Sequence, residues 1–281
     1  MQVRTHVANG FYGLTILHFS DVHFSPIFNR SLFLEILNYA KEKHPDYICI
    51  SGDLIDHAAI IEKETYRCEI EQFLKHLGMI APVLYGLGNH EVFYYHQRKK
   101  EYHYEEAWFQ SLNQIPNVSF LDRTCYEDDR IFCYGLTLPK EYYEAREQLA
   151  PSLPKTIVLP EDKTTILLCH SPSHIMREEM RNRYPWLDEF HLILEGHMHR
   201  GMVFPWMESW FPENRGLIAP SKRCFFPKYA RGTVTTEHGL SIISGGVTKL
   251  SSTAPRVLRS FNQCYPPEME WIEVREKVKH R

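Results

Sequence analysis

Five apolar runs in this chain, at 14–20, 46–50, 82–86, 165–169 and 191–194, each lead directly into a cluster of Asp, His, Asn and Gly. The clusters are Asp21-Val22-His23, Gly52-Asp53-Leu54-Ile55-Asp56, Gly88-Asn89-His90-Glu91, Cys169-His170-Ser171 and Gly196-His197-Met198-His199. Short apolar runs bounded by turn residues read as buried strands. Between the first three lie helical patterns. Asn29 stands where a cap belongs for a helix reaching Lys43, with Leu32, Leu34, Ile36 and Leu37 as its apolar side. Residues 62–77 place Ile70, Phe73, Leu74 and Leu77 on one face, and a third helix is expected over about 102–112. Strand alternating with helix predicts βαβ units, hence a largely parallel sheet covered on both faces. In such folds the C-terminal edge of the sheet is where sites assemble. All five clusters arrive at that edge, which packing alone does not explain.

The second half is less regular. Strands are expected at 118–121, 130–136 and 241–244, and a helix flanked by loops within 139–163, which holds four prolines. From 201 to 239 the chain is rich in Pro, Gly, aromatic and basic residues. No stretch reads as a linker, so one domain over 1–281 is expected, with its core at about 14–250. The net charge of −3 gives no basic field to hold a polyanion, which argues against nucleic acid as a partner. The seven cysteines form no CxxC pair and several lie in apolar runs, as buried thiols of a reducing compartment do. With no apolar run of membrane-spanning length and no visible signal peptide, the expected location is cytoplasmic or peripheral to a membrane; an N-terminal anchor trimmed away would leave the same sequence.

The ligand chemistry of the clusters is coherent. Carboxylates with imidazoles suit Mn, Fe or Zn better than Ca, which prefers oxygen alone. Asp21 and His23 are two apart on an extended segment and share a face, as do His197 and His199. Two ions in one cavity need a shared ligand; Asp53 is the natural bridge, because Gly52 permits a tight turn before it. Asp56 reads as a supporting residue, and His57 as an ordinary one.

In this order the clusters resemble those of the calcineurin-like metallophosphoesterase superfamily, over about residues 14–250. The resemblance implies a four-layer α/β/β/α sandwich of mixed sheets with a dinuclear site at the C-terminal ends of the strands. It implies a first ion held by Asp21, His23, Asp53 and His199, and a second by Asp53, Asn89, His170 and His197. His90 would act on the leaving group or the phosphoryl oxygens without binding metal, so His90 and Asp53 are the expected catalytic residues. The superfamily's protein phosphatases carry Arg before the Asn-His pair; here Leu87-Gly88 stand there, which argues against that activity. The late segment loosely resembles the bacterial membrane-associated, UDP-diacylglucosamine hydrolase-like branch.

The implied reaction is hydrolysis of a phosphomonoester, phosphodiester or pyrophosphate by a water or hydroxide bridging two metal ions. The expected substrate is a phosphorylated small molecule or a lipid-linked one, with peripheral membrane contact. Substrate-binding residues are not readable. The segment 204–229, with Trp206, Trp210, Phe225 and Phe226, is expected to wall the cleft. The alternatives are a nucleotide or cyclic-nucleotide phosphodiesterase, and a non-catalytic metal-binding scaffold of the same fold.

Overall fold

The computed structural model describes residues 1–92, 95–96, 99–100, 106–138, 153–219, 225–249 and 260–276. The elements are β1 (Gln2–Gly10), β2 (Leu14–Phe19), α1 (Ser31–Lys43), β3 (Tyr47–Ser51), α2 (Glu64–Gly78), β4 (Val83–Gly86), α3 (Asn89–Val92), a small hairpin of β5 (Tyr95–His96) and β6 (Lys99–Lys100), α4 (Glu106–Ser111), β7 (Val118–Leu121), β8 (Cys125–Glu127), β9 (Ile131–Gly135), β10 (Thr164–Leu168), α5 (Pro172–Ile175), α6 (Glu178–Arg183), β11 (Leu192–Glu195), β12 (Gly232–Thr235), β13 (Leu240–Ile243) and β14 (Glu268–Glu276). Short 3₁₀ turns link several of them. The helix expected within 139–163 falls largely on residues outside those described, and 153–163 is irregular.

The single parallel sheet suggested by strand–helix alternation is replaced by two six-stranded sheets, ordered β1-β14-β2-β3-β4-β7 and β12-β13-β11-β10-β9-β8. Each has a parallel centre: β2, β3, β4 and β7 in the first, β13, β11, β10 and β9 in the second. Antiparallel pairing comes from β14 against β2, β12 against β13 and β8 against β9, so both sheets are mixed.

Why two sheets form is visible in the alternation of side chains, since successive strand residues point to opposite faces. Leu17, Phe19, Ile48 and Ile50 point outward against α1 and α2, where Ile36, Phe73 and Leu77 meet them. Their neighbours Ile16, Tyr47 and Cys49 point inward, onto Ile166, Leu168, Leu192 and Leu194 of the second sheet. On its far face that sheet turns Leu167 and Ile193 to Met180, Trp186 and Phe190. Three apolar layers between four layers of secondary structure give the α/β/β/α sandwich. Each fully buried Leu or Ile contributes roughly 1.5–3 kcal/mol of transfer free energy.

The first sheet reaches beyond residues 14–250, because β1 and β14 lie side by side within it. Helix α1 begins at Ser31, and Asn29 accepts from the Ser31 amide two residues on, 3.2 Å away.

Candidate metal centre

Every strand that ends in a cluster ends at the same place. β2 releases Asp21 and His23, β3 releases Asp53, β4 runs into α3 with Asn89 and His90 at its start, β10 releases His170, and β11 releases His197 and His199. All seven predicted ligands are buried. Five of them, Asp21, His23, Asp53, His197 and His199, have φ between +45° and +68°, in the left-handed region that non-glycine residues rarely occupy. Such residues persist only where surrounding structure over-determines them, and they gather at functional sites.

The chain crossings explain how they are held. The amides of Asp21 and His23 donate to the carbonyls of Gly52 (3.1 Å) and Asp53 (3.0 Å), knitting the ends of β2 and β3. Gly52 takes φ +99°, and a side chain at Gly88 would strike the Asp53 carboxylate, so two glycines let the β3 and β4 turns touch.

Asp21 Oδ1 lies 3.8 Å from His23 Nε2, 3.8 Å from His170 Nε2 and 3.6 Å from His199 Nε2. Asp53 Oδ2 lies 3.0 Å from His170 Nε2 and 3.9 Å from both His23 Nε2 and His90 Nε2. Three groups of candidate ligand atoms result: Asp21, His23 and His199; Asp53, His170 and His197; and His23, Asp53 and His90. The first group holds three of the four residues expected around one ion and the second three of the four expected around the other, and Asp53 Oδ2 approaches both His23 and His170.

The imidazoles are oriented alike. Nδ1 of His170 donates to the Ser51 carbonyl (2.7 Å), that of His199 to the Thr248 carbonyl (3.1 Å), and that of His90 to the Asp56 carbonyl. His23 Nδ1 lies 3.4 Å from Asp56 Oδ1. Asp56 therefore aims His23 and His90 together, the supporting role expected of it. With Nδ1 of His90, His170 and His199 hydrogen-bonded, Nε2 is the atom these rings leave for a metal.

The electrostatics are those of a site built for cations. Burial disfavours charge on His23, yet Asp56, Asp53 and Asp21 raise its pKa to about 9. Burial likewise opposes His170, and Asp53 and Asp21 raise it to about 9. Burial disfavours ionisation of Asp53 too, but His170, His90 and His23 hold it well below the usual carboxylate range. Two divalent ions would replace these protons as counter-charge. The residues fit such ions: His23 Nε2 and Asn89 Oδ1 are buried without a hydrogen bond, and the mixed N/O donor set suits transition metals.

Sequence reasoning assigned no role to Glu91. Its buried carboxylate accepts from the amides of Asp53 (2.9 Å), Ile55 (3.2 Å) and Gly88 (2.7 Å) and from the Tyr85 hydroxyl (2.9 Å). One side chain thus clamps the β3 and β4 turns. The available signal was an acid directly after Asn-His, where α3 turns it back under the loop. The segment after His199 is anchored by Arg200, between Glu268 and Glu208, with Arg4 Nε 3.1 Å from Glu268. Trp206, Trp210, Phe225 and Phe226 lie on its surface, 58–72% exposed.

Residues 14–201 match the family model of the calcineurin-like phosphoesterases, over more than half the chain. The chain belongs to that family. An uncharacterised metallophosphoesterase of Helicobacter pylori (strain ATCC 700392 / 26695) is 28% identical over 197 residues, 68% of this chain and 46% of the relative. A Danio rerio transmembrane protein with a metallophosphoesterase domain is 27% identical over 210 residues, 69% of this chain and 42% of the relative. The chain thus spans less than half the length of these relatives. A solved dimetal phosphatase of Danio rerio aligns with a TM-score of 0.43 at 11% identity, covering 85% of this chain and 88% of that one. None of these three is named a UDP-diacylglucosamine hydrolase. No helix among the described residues is long and apolar enough to cross a membrane.

Proposed function

We propose that this chain hydrolyses a phosphate ester or anhydride with the help of two bound transition-metal ions, Mn, Fe or Zn. The observation that carries the reading is the common orientation of His23, His90, His170 and His199. Each turns Nδ1 to a protein acceptor and brings Nε2 within 3.0–3.9 Å of Asp21 or Asp53. A structural cluster has no need to aim four imidazoles at two carboxylates.

Asp21, His23, Asp53 and His199 would hold one ion, and Asp53, Asn89, His170 and His197 the other. When bound, the ions supply Lewis acidity toward the phosphoryl oxygens and lower the pKa of water. The protein's own part is positioning and proton handling. Asp53 is fixed by its own amide on Glu91 and by the His90 amide on its Oδ1 (2.8 Å), so the shared carboxylate is rigid. His90 is the most accessible imidazole of the group, its side chain 18% exposed against 8% or less for His23, His170 and His199. With Nδ1 held by the Asp56 carbonyl, its Nε2 turns toward Asp53 and can carry a proton to a leaving oxygen.

The test is metal analysis of the purified protein, with turnover of phosphomonoesters, phosphodiesters and pyrophosphates after adding Mn. About two ions per chain and chelator-sensitive turnover of at least one class are expected. Bound metal with no turnover of any class would leave a non-catalytic scaffold.

A further inference from the structure

Beside the candidate metal centre the surface opens into a cavity of about 810 Å³ whose lining includes His23. One wall is the stretch Val247–Lys249, whose Thr248 carbonyl also fixes His199. The opposite wall is the turn between β2 and α1. The floor is apolar and firm: Phe28, Val247 and Tyr265 are buried. Tyr265 cannot swing, because its hydroxyl donates to the Met202 carbonyl (3.0 Å) and its ring stacks on Phe204, 5.1 Å between centroids.

At the rim, Ile27 is 63% exposed and Leu32 is half-buried on the first turn of α1. An aliphatic side chain left in water at the mouth of a cavity beside buried metal ligands is surface that a bound molecule would cover. The uncharged polar side chains of the lining are the hydroxyls of Ser25, Thr248 and Tyr265 and the carboxamides of Asn29, Asn262 and Gln263. Among the described lining residues no carboxylate faces the cavity. Apart from His23, which belongs to the candidate metal centre, the one basic side chain among the described lining residues is Lys249, buried with its ammonium on the carbonyls of Gly245 and Gly246. Nothing described here is placed to neutralise a second phosphate or a charged peptide.

We propose that this cavity binds the organic group of the substrate, and that the group is uncharged with an apolar face. The substrate is then a phosphoester of a partly apolar alcohol, not a polyphosphate or a phosphorylated protein. This rests on the phosphoesterase reading for the position of the phosphoryl group, so the test separates the two.

Binding of the non-hydrolysable series from methyl- to octylphosphonate to the Mn-loaded protein is measured by calorimetry, alongside turnover of nitrophenyl alkyl phosphodiesters of the same chain lengths. Affinity should rise roughly 3-fold per methylene until the cavity is filled. Leu32→Asp and Ile27→Asp should flatten the slope, whereas Leu34→Asp, on the exposed side of α1, should keep it. A slope in binding without turnover of any ester supports the cavity and breaks the phosphoesterase reading. Turnover with a flat series does the reverse and overturns the proposal, as does a slope that survives Leu32→Asp and Ile27→Asp combined.

Discussion

The two sheets contribute to the centre in different ways. The ends of the first sheet supply both carboxylates, the carboxamide of Asn89, His23 and His90, and they are braced by one another. Asp21 and His23 hang on Gly52 and Asp53, while Glu91 ties the β3 and β4 turns together. The ends of the second sheet supply only imidazoles, and these reach across. His170 is anchored on Ser51 and the His197 amide on Asp21, so the second sheet is held to the first through residues of the candidate centre. The first sheet is a preassembled cradle and the second a set of fingers closing on it. Damage to the cradle should cost both structure and chemistry, and damage to a finger mainly its hold on an ion.

The sharpest break is Asp53→Asn, which replaces the shared anion by a neutral amide. Activity should disappear, and more completely than in a finger variant such as His170→Ala, in a turnover assay with saturating Mn. Equal losses in the two would end the distinction.

His90→Ala comes next. It should keep both ions and lose rate by about 10²- to 10⁴-fold, more on alkoxide leaving groups than on nitrophenolate. Metal analysis with a leaving-group series checks this; an emptied site would make His90 a ligand, as its proximity to His23 and Asp53 allows.

Glu91→Gln tests the cradle without touching a ligand. An amide keeps one oxygen and sets an NH2 group either against the Asp53 and Gly88 amides or against the Ile55 amide and the Tyr85 hydroxyl, so stability should fall by about 2–4 kcal/mol in urea unfolding of the metal-free protein. Metal affinity should weaken with it. Unchanged stability would remove Glu91 from the cradle.

The smallest effect is one of pH. His23 and His170 are raised to about 9 without metal. A raised imidazole contributes stability that is present below its unfolded value of about 6.5 and lost as pH rises through 9. Metal must displace those protons, so its affinity should grow over the same window. The rise in Tm on adding Mn should therefore be larger at pH 8.5 than at pH 6.5, and an inverted order would contradict the electrostatics of the cradle.

How much of this was legible in the sequence depended on what each residue was buried against. β2, β3 and β4 are apolar and followed by unusual clusters, so strand and ligand could be read together. β1 and β14 escaped notice because Arg4, His6, Glu268 and Glu270 make them look like surface. In the fold these charges cancel by pairing: His6 lies 2.7 Å from Glu270 and Arg4 3.1 Å from Glu268, with both acids buried. β1 is an edge strand, exposed or half-exposed along most of its length, and β14 buries Glu268 and Glu270 through ion pairs, so neither reads as an apolar run. The two-sheet arrangement was hidden for a related reason. Ile16 and Leu17 are equally apolar, and nothing in their spacing says that one meets a helix and the other a second sheet. Trp206 and Phe226, expected to wall the cleft, are 63% and 58% exposed and do not line the cavity at His23, whose wall is Tyr265 with Phe204, of the same segment, stacked behind it.

The left-handed backbone at five of the ligands gives the centre a built-in direction of decay. A change from the finger residue His199 to glycine removes the steric penalty of a side chain at positive φ, which is of order 1–3 kcal/mol. It also removes the ligand. Among single substitutions here, some that destroy the chemistry should make the metal-free protein harder to unfold. Random mutagenesis selected for thermal survival alone would then be expected to recover glycine at His199, a finger, and to spare Asp21 in the cradle, whose carboxylate holds the His197 amide.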